Sequence, residues 1–264
     1  MQGLLKTIPP HVYYYFTAFF IALLAGKFLI PVLRKLKFDQ TEREEGPKSH
    51  KCKNGTPTMG GFLFLLPLLL LSILYSFREI RILPLMLVTL GFALVGFLDD
   101  YLKVVRKNNK GLTPRQKMTG LLFVSAVFTW YAVTFVDEAN TLVLPFRGFE
   151  SPILLPIVIS IPFCIFVQLA FTNAVNLTDG LDGLAGCVTT IVLLFFTVVS
   201  IFTEEWNYIR IFCSILAGGL LGFLVYNLHP AKVFMGDMGS LALGGALAAV
   251  SIVTGTPVFL GLAG

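Results

Sequence analysis

Long apolar runs, separated by short polar connections, make up most of the chain. Of the 264 residues, 56% are apolar and only 13% are charged, which is more apolar sequence than a soluble core of this size needs. The pattern predicts an all-α polytopic transmembrane helix bundle that forms one integral membrane domain over residues 1–264. Residues 141–149, between two runs, suit a small hairpin. The predicted spans are 12–33, 59–77, 80–98, 118–136, 152–171, 183–202, 211–228 and 238–254.

Lysine and arginine are distributed unequally between the two sides that eight spans define. Five fall on one side and fourteen on the other, with Lys27 inside the first span. The positive-inside rule makes the richer side cytoplasmic and puts the N-terminus outside. Aspartates at span ends fall on the same cytoplasmic side, where residues from separate connections can converge. They are Asp99, Asp100, Asp179, Asp182 and Asp237.

A polar island, NAVNLTDGLDGLAG at residues 173–186, separates the fifth and sixth spans. Its polar side chains recur every third residue, at Asn173, Asn176, Asp179 and Asp182. Glycines follow both aspartates, which predicts a helix that is broken or starts late here. Uncompensated carboxylates beside hydrocarbon are costly, so a divalent cation or a substrate is expected to balance them. The alternative is a polar interfacial turn that only ends two helices.

The first cytoplasmic loop, GPKSHKCKNGTPTMGG at residues 46–61, combines glycines, hydroxyl side chains and lysines. Glycines allow close backbone approach, and lysines such as Lys53 neutralise phosphate charge, so the loop has the chemistry of an anion-binding segment. It lacks the order of a Walker loop. The alternative is a generic positive-inside loop.

Two further segments carry acidic residues at span ends. FLDDYLK holds Asp99 and Asp100, whose side chains diverge by roughly 100° on a helix and are therefore expected to face different partners. In FMGDMGS, Phe234 is expected to be exposed, where its ring can stack on a flat base. The competing interpretations are a charged end of the third span and a simple helix N-cap at Asp237.

These four segments together resemble the phospho-N-acetylmuramoyl-pentapeptide-transferase family, within the polyprenyl-phosphate N-acetylhexosamine-1-phosphate transferase superfamily. The resemblance implies transfer of phospho-MurNAc-pentapeptide from UDP-MurNAc-pentapeptide to undecaprenyl phosphate, with Mg²⁺, giving UMP and lipid I. It implies membrane lipid and these two substrates as partners, and no nucleic acid; a homodimer is left open. Family members have ten spans, with a histidine cluster before the last; eight spans are predicted in these residues.

The resemblance also assigns roles to individual residues. Asp237 becomes the metal ligand and Asp99 the base or nucleophile, two roles that sequence does not separate, with Asp100 in support. Phosphate charge would be neutralised by Lys53, Lys103 and Lys117. Substrate and nucleotide binding falls to Asn173, Asn176, Asp179, Asp182, Asn227 and Phe234. Within that set, Phe234 would stack on uracil and Asp182 would accept its N–H.

Two other functions are compatible with parts of the pattern. Acidic residues at broken helices are also typical of secondary transporters and channels. The acids gather at one membrane face instead of the midplane, however, and no inverted repeat is visible. The second alternative is a superfamily relative that uses UDP-GlcNAc, against which the first loop argues. A structural scaffold would not need five acids at one face.

Overall fold

The fold is a bundle of helices, seen in a computed structural model that describes residues 9–35, 56–105, 111–146 and 151–263. The all-α prediction is confirmed, because helices account for most of these residues. In chain order the helices are α1 (Pro10–Lys35), α2 (Phe62–Ser76), α3 (Ile82–Val105), α4 (Pro114–Phe135), α5 (Ile157–Thr178), α6 (Leu184–Val199), α7 (Asn207–Asn227), α8 (Gly236–Val253) and α9 (Pro257–Ala263).

Helix length divides the predicted spans into two groups. Six of the described helices are long and apolar enough to cross a membrane: α1, α3, α4, α5, α7 and α8. Helices α2 and α6 are equally apolar but have only 15 and 16 residues. The prediction of a polytopic membrane bundle is therefore confirmed, and the predicted number of eight spans is approximate. The short helix α9 was not predicted.

Helix α8 forms the centre of the bundle. In its most apolar stretch of 18 residues, 94% of the residues are buried, whereas the corresponding share for α1 is 28%. Its small residues let neighbouring helices approach closely, as is common between membrane helices. A Cβ added at Gly244 would overlap the backbone oxygen of Phe171 on α5, and one added at Gly245 would overlap the ring of Phe92 on α3. This packing fixes the start of α8 between the ends of α3 and α5.

The predicted break in the polar island is present and lies in its second half. Helix α5 continues to Thr178, so Asn173 and Asn176 lie on its last turns. The continuation follows from packing, because the end of α5 lies against α8. The break itself comes afterwards, over residues 179–183, and ends at Gly183, whose φ of 76° is in the left-handed region that glycine tolerates.

A small irregular region covers the opposite end of the bundle. A 3₁₀ turn at Asp137–Asn140 leads into strand β1 (Thr141–Leu142), which pairs antiparallel with β2 (Ile153–Leu154), Thr141 opposite Leu154. The predicted hairpin at 141–149 is therefore present with its second strand further along the chain. A second 3₁₀ turn, Glu204–Trp206, precedes α7 at this end.

Candidate active site

Three aspartates converge where α3 ends and α8 begins. Carboxylate oxygens of Asp99, Asp100 and Asp237 all lie within 4.8 Å of one another. Asp99 and Asp100 are each only 4% exposed. The two helices run in opposite directions, so the last turns of α3 meet the first turn of α8, and residues 138 positions apart in sequence share one site.

Glycines at two positions make this close approach of the helices sterically possible. A Cβ at Gly96 would overlap the backbone oxygen of Asp237. Gly236 has a φ of 73°, and a Cβ there would lie 2.5 Å from Oδ2 of Asp100. Asp237 is therefore held against α3 by the absence of side chains at these two residues.

Asp100 binds the N-terminus of α8. Its Oδ2 accepts a hydrogen bond of 3.1 Å from the backbone N–H of Met238, one of the N–H groups that a helix start leaves without an intrahelical partner. A carboxylate at this position also interacts favourably with the helix dipole. Asp100 thus positions the helix that carries Asp237, and its supporting role in catalysis stays a prediction.

Asp99 has a different backbone partner from its neighbour. Its Oδ1 accepts a 2.7 Å hydrogen bond from the backbone N–H of Leu112, and its Oδ2 lies 2.6 Å from Nζ of Lys103. The two adjacent aspartates therefore have different backbone partners but share Lys103, so the separation expected from their divergence on a helix is only partial. The Leu112 contact was not predicted, because it depends on how the chain returns from α3 to α4.

Two lysines converge on the same carboxylates. Nζ of Lys103 lies 2.6 Å from Asp99, 3.7 Å from Asp100 and 2.9 Å from Asp237. Nζ of Lys117 lies 3.0 Å from Oδ2 of Asp237. The cluster therefore contains three carboxyl and two amino side chains, whose formal charges sum to −1.

A capping box places Lys117 at the start of α4. Oγ1 of Thr113 accepts a 3.3 Å hydrogen bond from the backbone N–H of Gln116, while Oε1 of Gln116 accepts one of 3.0 Å from the backbone N–H of Thr113. This reciprocal pair satisfies two N–H groups at the helix start and is encoded locally as Thr-Pro-Arg-Gln. Lys117 follows directly and reaches Asp237 from the first turn.

The amide side chain of Asn176 completes the surroundings of Asp237. Its Nδ2 lies 2.8 Å from Oδ1 of Asp237 and 2.7 Å from Oγ of Ser240. Ser240 was missed by the sequence analysis, although its position three residues after Asp237 places it on the same helix face. Asn173 makes a different contact, since its Nδ2 donates to the carbonyl oxygen of Leu169 on its own helix at 2.7 Å.

Asp182 and Asn227 form a second polar group beside the turn between α5 and α6. Oδ2 of Asp182 accepts a 3.2 Å hydrogen bond from the backbone N–H of Ala231 and lies 3.0 Å from Nδ1 of His229. Oδ1 of the buried Asn227 accepts a 3.1 Å hydrogen bond from the backbone N–H of Gly183. These contacts join the α5–α6 turn to the α7–α8 connection.

Phe234 is buried, so the prediction of an exposed ring is wrong. The residue is 7% exposed. Its backbone N–H donates to the carbonyl oxygen of Pro57 at 2.9 Å, and its own carbonyl accepts from Gly60 at 2.7 Å. This strand-like pairing with the end of the first loop brings Phe234 inside the bundle. A stacking role stays a prediction for the part of the ring that remains accessible.

Asp179 and Lys53 are the remaining two predicted site residues. Asp179 is partly buried and is the C-cap residue of α5, at the start of the turn that carries Asp182. Lys53 lies outside the described residues.

The donor set of the three aspartates is suited to a hard divalent cation. Such ions take carboxylate and other oxygen ligands, and the oxygens of Asp99, Asp100 and Asp237 are close enough to share one. The cluster also carries a negative charge excess that a cation can balance. Lys103 contacts the same three carboxylates, so a bound metal ion and this ammonium group would share their partners.

Fold and site together define an integral membrane transferase. The model of glycosyl transferase family 4 matches residues 82–255, and signature 1 of phospho-N-acetylmuramoyl-pentapeptide-transferase matches residues 53–65. The first match covers the helices that carry all three aspartates. The second covers the end of the loop that pairs with Phe234.

Several curated relatives carry the same name. The phospho-N-acetylmuramoyl-pentapeptide-transferase of Acetivibrio thermocellus is 49% identical over 257 residues, which are 97% of this chain and 77% of the relative. That of Carboxydothermus hydrogenoformans is 48% identical, over 94% of this chain and 77% of the relative. That of Staphylococcus carnosus is 44% identical, over 92% and 76%. The chain belongs to the phospho-N-acetylmuramoyl-pentapeptide-transferase family.

Proposed function

We propose that the protein transfers phospho-MurNAc-pentapeptide from UDP-MurNAc-pentapeptide to undecaprenyl phosphate, producing lipid I and UMP in peptidoglycan synthesis. The names of the relatives and the signature match supply the substrates. The observation that carries the proposal is the cluster of three aspartates and two lysines where α3, α4, α5 and α8 meet.

Charge repulsion is the main obstacle that the site has to overcome. A lipid phosphate must approach the diphosphate of the donor, and both are anionic. Lys103 and Lys117 each place an ammonium group at the cluster, where it can offset phosphate charge. Asn176 holds the other oxygen of Asp237, so that this carboxylate keeps one orientation.

We assign Mg²⁺ to the cluster, with Asp237 as a ligand and Asp99 and Asp100 close enough to contribute. When bound, Mg²⁺ neutralises phosphate charge and stabilises the negative charge that develops on the departing UMP. Asp237 suits this role because it is the least buried of the three carboxylates: its side chain is 19% exposed, against 6% for Asp99 and 5% for Asp100.

Asp99 is our candidate for the residue that starts the transfer. It would serve either as a base that removes a proton from the lipid phosphate, or as a nucleophile that attacks the β-phosphate of the donor, breaks its bond to UMP and forms a covalent phospho-sugar intermediate that the lipid phosphate then resolves. Incubation with radiolabelled donor in the absence of lipid separates the two roles. Stoichiometric labelling that Asp99→Asn abolishes supports the nucleophile, and UMP release that strictly requires lipid supports the base.

The transfer itself is tested by UMP release. The protein expressed from its complete gene is purified in detergent and supplied with UDP-MurNAc-pentapeptide and undecaprenyl phosphate. We expect lipid I and UMP in equal amounts. UDP-GlcNAc is run in parallel, and faster release from that donor would contradict the proposed substrate in favour of the superfamily alternative.

We further propose that the aspartate cluster lies on the cytoplasmic face of a bacterial cytoplasmic membrane. The fourteen-to-five distribution of basic residues supports this orientation. Labelling of Cys52 tests it in intact cells, since a reagent that cannot cross the membrane should leave this loop cysteine unmodified. Modification of Cys52 from outside would overturn the orientation.

A further inference from the structure

A cavity of about 410 Å³ lies at the end of the bundle opposite the aspartate cluster. It is bounded by Arg81 just before α3, by the end of α4 with the 3₁₀ turn after it, and by the start of α7. The part of α3 between Ile82 and Asp99 is roughly 26 Å long, at a rise of about 1.5 Å per residue. The cavity is therefore separate from the candidate active site.

Aromatic side chains form much of the cavity wall. Tyr131 and Phe135 come from α4, and Trp206 and Tyr208, which are 8% and 6% exposed, come from the opposite side. The wall already holds one cation, because the guanidinium carbon of Arg81 lies 4.8 Å from the ring centroid of Tyr208. Aromatic faces attract cations through their quadrupole, and they do so more strongly where water is partly excluded.

Acidic side chains complete the lining. They are Asp137, Glu138 and Glu205, and none of them forms an ion pair with another residue that the structure describes. Arg81, in the same lining, offsets at most one of these three charges, and Glu79 also binds its guanidinium through two hydrogen bonds of 2.9 and 3.0 Å. The cavity therefore combines a net negative charge with aromatic walls, a combination that disfavours anions.

We propose that this cavity binds an organic ammonium group. The acidic residues would supply charge, and the rings would cover the apolar surface beside the nitrogen. A bare metal ion would use neither the aromatic wall nor a volume of about 410 Å³. The cavity lies at the ends of helices long and apolar enough to cross a membrane, so an amine-bearing phospholipid headgroup and a free amine are the two sources of this chemistry. Binding here does not depend on the transfer reaction.

Tryptophan fluorescence gives a direct test, because the chain has only two tryptophans. Trp206 lines the cavity, whereas Trp130 is 66% exposed on the bundle surface. In Trp130→Phe protein, all tryptophan emission therefore comes from the cavity. We expect a saturable change in this emission when ethanolamine, or dihexanoyl phosphatidylethanolamine, is titrated into the detergent-purified protein.

Matched substitutions in the Trp130→Phe background locate the binding. Glu205→Gln and Glu138→Gln should each weaken the apparent affinity about five- to tenfold, because each removes one carboxylate from the lining. Glu204→Gln is the control: its residue lies beside Glu205 on the same 3₁₀ turn but does not line the cavity. This variant should stay within about twofold of the parent.

The outcomes distinguish a lipid headgroup from a free amine, and they show whether the proposed ammonium site is wrong. Saturation by both probes supports a lipid headgroup, and saturation by ethanolamine alone supports a free amine. The proposal is overturned if neither probe saturates, or if dihexanoyl phosphatidylglycerol produces the same response at the same concentrations. An equal loss of affinity in Glu204→Gln would also overturn it, because the effect would then be general surface charge.

Discussion

At the end of the bundle that holds Asp237, acidic side chains lie against lysines, backbone N–H groups and an amide. At the opposite end, Glu205 and Asp137 surround a cavity and pair with no cation among the described residues. The difference follows from burial. Carboxylates that are nearly removed from solvent must be compensated within the fold, whereas exposed ones can stay hydrated until a ligand arrives. A ligand that binds the carboxylates at the first end must therefore displace their present partners. A ligand at the second end meets carboxylates that form no ion pair with another described residue.

The largest effect should come from removing a charge at the compensated end. Asp237→Asn keeps the shape of the side chain but replaces a carboxylate that contacts Lys103 and Lys117. Turnover, measured as UMP release, should fall by about 10²- to 10³-fold, because several kcal/mol of charge stabilisation are lost. Thermal unfolding in detergent serves as the control for folding. Near-normal turnover at saturating Mg²⁺ would contradict the assignment of Asp237.

Substitution of the two lysines should lower turnover to different extents, which tests whether a bound ligand displaces them from the carboxylates. Lys103→Gln should lower turnover more than Lys117→Gln, because Nζ of Lys103 contacts three carboxylates and that of Lys117 contacts one. We expect losses of roughly 30- to 100-fold and 10-fold. Lys103→Gln should also tighten Mg²⁺ binding, measured by titration of metal-free protein, since the ammonium no longer occupies the same oxygens. Weaker Mg²⁺ binding in this variant would argue against a shared position.

Steric contact between α3 and α8 should have a smaller effect on stability. Gly96→Ala places a methyl group against the backbone of Asp237 and should lower the free energy of unfolding by about 1–3 kcal/mol. Gly261→Ala is the matched control, since no atom lies within 4 Å of a Cβ at this position on α9. Thermal unfolding of both variants in one detergent gives the comparison. Equal stability of the two would mean that the helices can separate at no cost.

The smallest effect is expected at the open end, where Glu79 binds Arg81. This contact holds the pKa of Glu79 below its ordinary value of 4.5, chiefly through hydrogen bonds from Arg81. Its stabilisation is therefore present above about pH 4.5 and is lost as pH falls through the lower folded pKa. Glu79→Gln should cost less than about 1 kcal/mol at pH 7, because both side chains are partly exposed. The difference from the parent should shrink as pH falls below 4.5 and disappear once Glu79 is protonated in the folded protein, and a difference that does not depend on pH in this range would contradict an ionic origin.

Sequence alone predicts the membrane bundle and the side on which its acids gather. Span parity puts Asp99 and Asp237 at the same end of the bundle, because alternate connections of a membrane bundle must share a face. It does not predict that Asn176 binds Asp237, since that contact depends on how far α5 continues along α8. The position of Ser240 on the face of Asp237 was readable from its spacing, but nothing in the pattern distinguished it from other small residues.

The burial of Phe234 shows that the residues next to a side chain in sequence do not always predict its exposure. The residue lies in a short connection with polar and glycine neighbours, which favours exposure. Its backbone pairs with Pro57 and Gly60, more than 170 residues earlier, and this contact carries the ring inside. Such long-range backbone pairing leaves no periodicity in either segment. The cavity beside Trp206 was missed for a similar reason, because three separate connections contribute to it.

Backbone hydrogen bonds join the end of the first loop to the α7–α8 connection, so the two segments are positioned together. Gly60 and Gly61 donate to the carbonyl oxygens of Phe234 and Met235 at 2.7 and 3.1 Å, and Phe234 donates in return to Pro57. Asp237 follows Met235 by two residues. The end of the first loop therefore helps to position this carboxylate.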